Sequence, residues 1–338
     1  MGYPRKSLIC LDDTPYYHVV ARCVRRAWLW GFDAYAGKDY SHRKAWILER
    51  LKYLSNAFAI DLCAYAILSN HYHLVLHVDR ARAASWSHEE IVERWTKLFK
   101  PTTLINRWQE GTASPAERAA TQREIECWRA RLHDISWYMR CLNEYLARRA
   151  NAEDDCTGRF WEGRFKSQAL LDEAGLLTAM AYVDLNPVRA GVAATPEESE
   201  FTSIHARLLE LRSATRSSSQ RASATKMRTP ALLPFRDTPS ASGAALPMTL
   251  SDYLQLLDWT AHVARPDKQH TTNRRSPPLL TRLNIEADAW QCTMRPAGNL
   301  FGRAVGRLDR LRAHAKRLGQ SWIKGLGQAQ RLYRSAQA

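Results

Sequence analysis

Along the chain, the first regular pattern is YYHVVARCV over Tyr16–Val24, where aromatic and β-branched residues alternate in part and predict a strand. Residues 41–58 place Ala45, Leu48, Leu51 and Leu54 at helical spacing behind a serine, which predicts a helix. Two apolar runs follow, IDLCAYAIL and HYHLVLHV, joined by the turn residues Ser69 and Asn70, and they predict a pair of strands. FKSQALL predicts a fourth strand. Asp172 then caps a helix over DEAGLLTAMAYVDL, which stops at Asn186–Pro187 because proline pushes the preceding residue out of helical conformation. Strand, helix, strand, strand, then strand and helix is the order of an α+β protein with a ferredoxin-like, four-stranded antiparallel sheet backed by helices. Between the third and fourth strands, about residues 87–150 read as a helical insertion. Ser114-Pro115-Ala116-Glu117 is a capping box with proline at the first helical position, and a further helix spans Asp134–Arg149.

Past residue 210 the pattern changes. Residues 213–242 are rich in Ser, Thr, Ala and Pro with few large apolar side chains, so 211–245 reads as a linker between a domain over 1–210 and an extension over 246–338. In the extension, SDYLQLLDWTAHVAR and PPLLTRLNIEADAWQC read as helices. The last stretch, from Gly302 to Arg334, repeats Arg or Lys every three or four residues and lines a helical face with cations.

Charge sharpens this division. The 338 residues carry a formal charge of +15, but residues 1–210 hold 28 Lys and Arg against 27 Asp and Glu, a net +1, whereas residues 211–338 hold 21 against 7, a net +14. Such asymmetry points to a polyanion held by the extension, the plainer alternative being a solvated tail. Seven scattered cysteines without a CxxC pair exclude a disulfide framework and a thiolate zinc site, and fit a reducing cytoplasm. No apolar run approaches the roughly 18 residues of a membrane span, so no membrane association is expected.

Candidate chemistry gathers in two places. His71 and His73 open a strand, and alternation points both to one face while Tyr72 points away, so the two imidazoles can share one divalent metal. His77 shares that face and reads more simply as a surface residue. Tyr182 and Asn186 lie one helical turn apart, so phenol and amide face the same way. If that helix lies on the histidine face, the four side chains converge on what phosphoryl transfer needs: a metal held by neutral ligands and an oxygen nucleophile. The alternative for Tyr182 is an ordinary core residue of an amphipathic helix. Tyr138 and Tyr145 read as core packing.

AYAILSNHYHLVLHV, then TGRFWEGRFKSQALLDEAGLL, then AYVDLNPVRAG resemble the single-tyrosine HUH transposases, and most closely their branch associated with repetitive extragenic palindromes, the REP-associated tyrosine transposases. The resemblance covers about residues 14–210, and HVVARCVRRAWLW looks like the family's first strand. It implies an HUH endonuclease core in which His71 and His73 bind Mg²⁺ or Mn²⁺, Asn186 completes the metal site, and Tyr182 is the nucleophile. It further implies cleavage and rejoining of single-stranded or hairpin DNA through a 5′-phosphotyrosine, in a protein of the cytoplasm, beside the nucleoid, more monomer than oligomer.

Such a substrate needs phosphate and base contacts. Arg159, Trp161, Arg164 and Lys166, with Phe160 and Phe165 between them, interleave cations with aromatic rings, and Arg22, Arg25 and Arg26 follow the first strand as a second phosphate clamp. Arg189 in the AYVDLNPVRAG motif adds another cation. The alternative for Trp161 and Phe165 is a loop anchored on the core. The alternative for the whole chain is a protein of the same fold that binds DNA or RNA hairpins without cutting them.

Overall fold

Strand β1 (Tyr16–Arg22) pairs antiparallel with a strand on each side, so the YYHVVAR alternation sorts its side chains onto two covered faces. The structure, a computed structural model, describes residues 8–24, 31–33, 37–214, 230–238, 243–264, 276–295 and 302–333. After β1 come a small ribbon, β2 (Phe32–Asp33) and β3 (Lys38–Asp39), then α1 (Arg43–Ser55), β4 (Ile60–Ile67) and β5 (His71–Val78). The helical insertion follows as α2 (Arg80–Ser85), α3 (His88–Thr96), α4 (Thr103–Gln109), α5 (Pro115–Arg131) and α6 (Ile135–Glu153). The capping box forms as expected at Ser114 and Glu117, and a second one forms at Ser87 and Glu90. Next are β6 (Lys166–Leu170), α7 (Glu173–Asp184), the single turn α8 (Asn186–Arg189) and α9 (Ser203–Ala214). The remainder gives α10 (Leu250–Ala264), α11 (Pro278–Arg282), α12 (Ala287–Met294), β7 (Ala304–Val305), α13 (Leu308–Arg317) and α14 (Leu326–Leu332).

The sequence pattern predicts four antiparallel strands; among the described residues the main sheet has five and is mixed, in the order β4-β5-β1-β6-β7. The fifth strand, β7, runs parallel to β6 through Ala169↔Ala304 and Leu170↔Val305. It is two residues long, too short to leave an alternation signal. It also comes from the region expected as an extension, so residues 304–305 complete the sheet begun at residue 16. Gly175 in α7 records how closely they meet: a Cβ there would sit 2.5 Å from Val305 O.

The opposite edge, β4, is covered as well. Leu233 N donates to Leu62 O at 2.8 Å and Ile67 N to Phe201 O at 3.1 Å, so few backbone groups of this edge are left to pair with another chain. Leu232 and Leu233 belong to the region expected as linker; residues 215–229 of it lie outside the described residues.

On one face of the sheet lie α1 and α6, which bury Ile47, Leu51, Leu54, Tyr138 and Leu142. The other face carries α7, buried almost all round, with Tyr253 of α10 and Tyr333 just after α14 bonded to it. There the Asp184 carboxylate accepts from Tyr253 Oη at 2.6 Å, from Ile204 N at 2.9 Å and from Ser203 Oγ, and Thr178 Oγ1 meets Tyr333 Oη at 2.9 Å. The stretch PPLLTRLNIEADAWQC breaks into α11 and α12 at Asn284, whose φ is +51°. The cationic stretch breaks likewise, at Gly319 and Gly325, whose φ values are +67° and +113°.

Candidate active site

Alternation along β5 does what the sequence predicts: Tyr72 goes to the α6 face, where its hydroxyl donates to Asn143 Oδ1 at 2.5 Å, and His71 and His73 go to the α7 face with ring centroids 5.0 Å apart. Antiparallel register then decides their neighbours. Arg22 stands opposite His71, Val20 opposite His73, and His18 lies two residues along β1 on the same face. Across the other side of β1, His18 faces Gln168 of β6.

These residues form a hydrogen-bonded chain. Gln168 Nε2 donates to Gly302 O at 2.7 Å, Gln168 Oε1 lies 2.6 Å from His18 Nδ1, and His18 Nε2 lies 2.9 Å from His73 Nδ1 with the two rings 10° from parallel. His73 Nε2 then faces the amide nitrogen of Asn186 at 3.4 Å. His71 has its own support, with Nδ1 2.6 Å from Asn70 Oδ1. Burial pushes His18 down to about 4 despite the Gln168 hydrogen bond, and burial with the nearby Arg22 charge pushes His71 down to about 4. Burial, followed by the charges of His18, His71, Arg189 and Arg22, holds His73 well below the ordinary imidazole range. All three rings are therefore neutral near pH 7, the form in which imidazole offers a lone pair.

Helix α7 brings up the other half. The Tyr182 ring lies 6.0 Å from that of His73 and 6.4 Å from that of His18, both edge-on. Asn186 opens α8, where the turn at Leu185 redirects the chain without moving the amide away from His73. Positions 71–73 and 182–186, more than a hundred residues apart, thus meet around His73.

Sequence reasoning missed His18 and Gln168. His18 sits in YYHVVAR, where alternation marks its face, but only strand register shows that this is the face of His73; Gln168 in FKSQALL carries no signal of its own. The role of Arg189 also differs from a phosphate contact. Its guanidinium lies 4.1 Å over the Tyr182 ring, while Nε donates to Met294 O at 2.7 Å and an Nη to Arg295 O at 2.8 Å, leaving it 7% exposed. The spacing of seven residues, two helical turns, is the signal that could have shown it.

Of the other expected DNA contacts, Arg22, Arg159, Arg164 and Lys166 are exposed. Trp161 is half-buried: its Nε1 donates to Asn143 O at 2.9 Å and its ring meets those of Tyr72 and Phe160 edge-on, so it ties the loop to the core. Phe165 is buried too. Arg25 and Arg26 lie outside the described residues. His77, at the far end of β5, pairs with Asp61 at 3.1 Å, away from the other imidazoles.

No group of three or more His, Cys, Asp or Glu among the described residues is placed to hold a metal ion. The cluster is a different kind of donor set, two neutral imidazoles with an amide, beside a phenol. Among the described residues no helix is long and apolar enough to cross a membrane.

What the fold and cluster define is a mixed α+β protein with a His-Tyr-Asn site between sheet and helix. No family model and no curated protein matches the chain. One similar solved structure is described as "Structure of the REP associates tyrosine transposase bound to a REP hairpin"; the two share 11% identity and a TM-score of 0.35 over 58% of this chain and 79% of that one. At that level nothing of the neighbour's activity transfers to this chain.

Proposed function

We propose that this protein is a divalent-metal-dependent DNA strand transferase that cuts and rejoins single-stranded or hairpin DNA of REP-like palindromic type through a covalent phosphotyrosine. The observation that carries this reading is the meeting of Tyr182 and Asn186 with His73 and its neighbour His71 across the sheet–helix junction.

The residues fit a metal of the Mg²⁺ or Mn²⁺ kind. His71 and His73 are neutral and would each give a ring nitrogen, and Asn186, whose amide nitrogen faces His73 Nε2, would turn its amide over to give its carbonyl oxygen. When bound, the metal supplies a Lewis acid that polarises a phosphate oxygen. Tyr182 supplies the nucleophile: its Oη forms a bond to phosphorus, the bond from phosphorus to the 3′ oxygen breaks, the phenolic proton leaves to solvent, and the departing 3′ oxygen takes up a proton. The product is a 5′-phosphate ester on Tyr182 and a free 3′-OH. Attack by a 3′-OH on that ester reverses the step with no external energy source. Arg189 holds the Tyr182 ring, and the exposed Arg22, Arg159, Arg164 and Lys166 hold phosphates on either side of the cut. Such a substrate implies work in the cytoplasm, beside the nucleoid, with the cationic surface of α13 as a further grip on a hairpin stem.

Labelled single-stranded hairpin DNA incubated with the protein and Mn²⁺ tests this. An SDS-stable protein–DNA adduct is expected with wild type and none with Tyr182→Phe. An adduct unchanged by Tyr182→Phe would remove Tyr182 from the chemistry, and binding without cleavage on every hairpin tried would leave a non-catalytic hairpin-binding protein.

A further inference from the structure

The hydrogen-bonded chain that ends at His73 has a direction, and a backbone carbonyl sets it. Gly302 O can only accept, so the Gln168 amide must turn its nitrogen toward it and its oxygen toward His18. That oxygen also only accepts, so His18 carries its proton on Nδ1. In a neutral ring His18 Nε2 is then an acceptor, and His73 must donate from Nδ1. What is left is His73 Nε2, bearing a lone pair and aimed at Asn186.

We propose that Gln168 and His18 are positioning residues that lock His73 in its Nδ1–H tautomer, with Gly302 of the C-terminal region as their anchor. The inference rests on the reading of His73 as a metal ligand. A metal-binding histidine needs its other ring nitrogen tied to an acceptor, which fixes both tautomer and ring orientation. Here the acceptor is a second histidine, and the tie runs through two side chains, His18 and Gln168, to a carbonyl 134 residues from Gln168 in sequence. The same region holds the opposite half of the site, because Arg189 reaches the Tyr182 ring while bonded to Met294 O and Arg295 O. Carbonyls on both sides of residues 296–301 therefore brace nucleophile and ligand together. The C-terminal region is thereby part of the catalytic centre as well as a carrier of charge.

The test uses the full chain with ¹⁵N-labelled histidine, without metal, and then titrates Mn²⁺ alone. Wild type is expected to show His73 as the Nδ1–H tautomer. Gln168→Met, close in volume but unable to bond either neighbour, is expected to move His73 toward the Nε2–H form and weaken Mn²⁺ binding roughly ten- to a hundred-fold. Gln168→Glu is the rescue when its carboxyl is protonated, because that form donates to Gly302 O and still accepts from His18 Nδ1–H, and Mn²⁺ affinity within about threefold of wild type is then expected, far inside the loss typical of a broken support. His18→Phe keeps the ring and removes the acceptor, and is expected to match Gln168→Met. A His73 tautomer and Mn²⁺ affinity unchanged in both Gln168→Met and His18→Phe would overturn the proposal. A tautomer shift in those variants, in a protein whose wild type binds no Mn²⁺, would sustain the locking role and sink the metal reading, so the two fail separately.

Discussion

The two faces of the main sheet are made by the same strands and could hardly differ more. Tyr17, Val19, Ala21, Tyr72, Leu74 and Leu76 line one face, all 3% exposed or less, and seal against α1 and α6. One residue out of step, His18, His71, His73 and Gln168 line the other, with Val20 and Val75 among them and the exposed Arg22 at its edge. The first face draws its stability from removing apolar surface from water. The second buries imidazoles and an amide, which would cost several kcal/mol if left unpartnered and is tolerated because each bonds to the next. A one-residue slip of β1 would exchange the two sets. The apolar face thus fixes the register that assembles the polar one.

If this division of labour is right, damage to one face should leave the other's property intact. The largest effect expected is on Leu74→Ala, which opens a cavity at a fully buried site and should lower unfolding free energy by about 2–5 kcal/mol in denaturant titration, with Mn²⁺ affinity of the folded protein unchanged. A loss of Mn²⁺ affinity there would show that the faces are coupled. Gly175→Ala presses on the Val305 carbonyl and should cost about 1–3 kcal/mol while also weakening Mn²⁺ binding, because it pushes α7 away from β7. Tyr72→Phe removes one hydroxyl bonded to Asn143 and should cost about 1 kcal/mol with no change in DNA adduct yield. The smallest effect concerns acid. Burial pulls the Asp61 carboxyl up, but the His77 hydrogen bond and the Arg82 charge outweigh it and hold it below the ordinary range. The unfolded chain therefore binds the proton first, so this stabilisation is full above the ordinary carboxylate range and is lost as pH falls through the lowered value. Asp61→Asn should make the acid limb of the stability profile shallower, and an unaltered limb would show that Asp61 adds nothing.

Much of this was legible in the residues. Alternation in HYHLVLHV sends Tyr72 one way and His71 and His73 the other, and helical spacing keeps Tyr182 and Asn186 together; the structure follows both. What alternation cannot carry is which residue of one strand stands beside which residue of another. His18 and Gln168 become part of the site only through register, and β7 is too short to have a pattern. The arginines taught a similar lesson. The sequence motif places Arg189 among cations expected to face DNA, yet it is turned inward by two carbonyls more than a hundred residues away.

The parallel pairing of β6 with β7 also sets an order of events. During synthesis the chain can fold β1, β4, β5 and β6 as they emerge, but Ala169 waits for Ala304, and Gln168 waits for Gly302. Closing a loop of that length precedes any reward from the contacts it makes, so this pairing is among the slow steps. A nascent chain will hold its imidazoles near one another well before their protons are directed, and the site will mature only once residues 302–305 have been made.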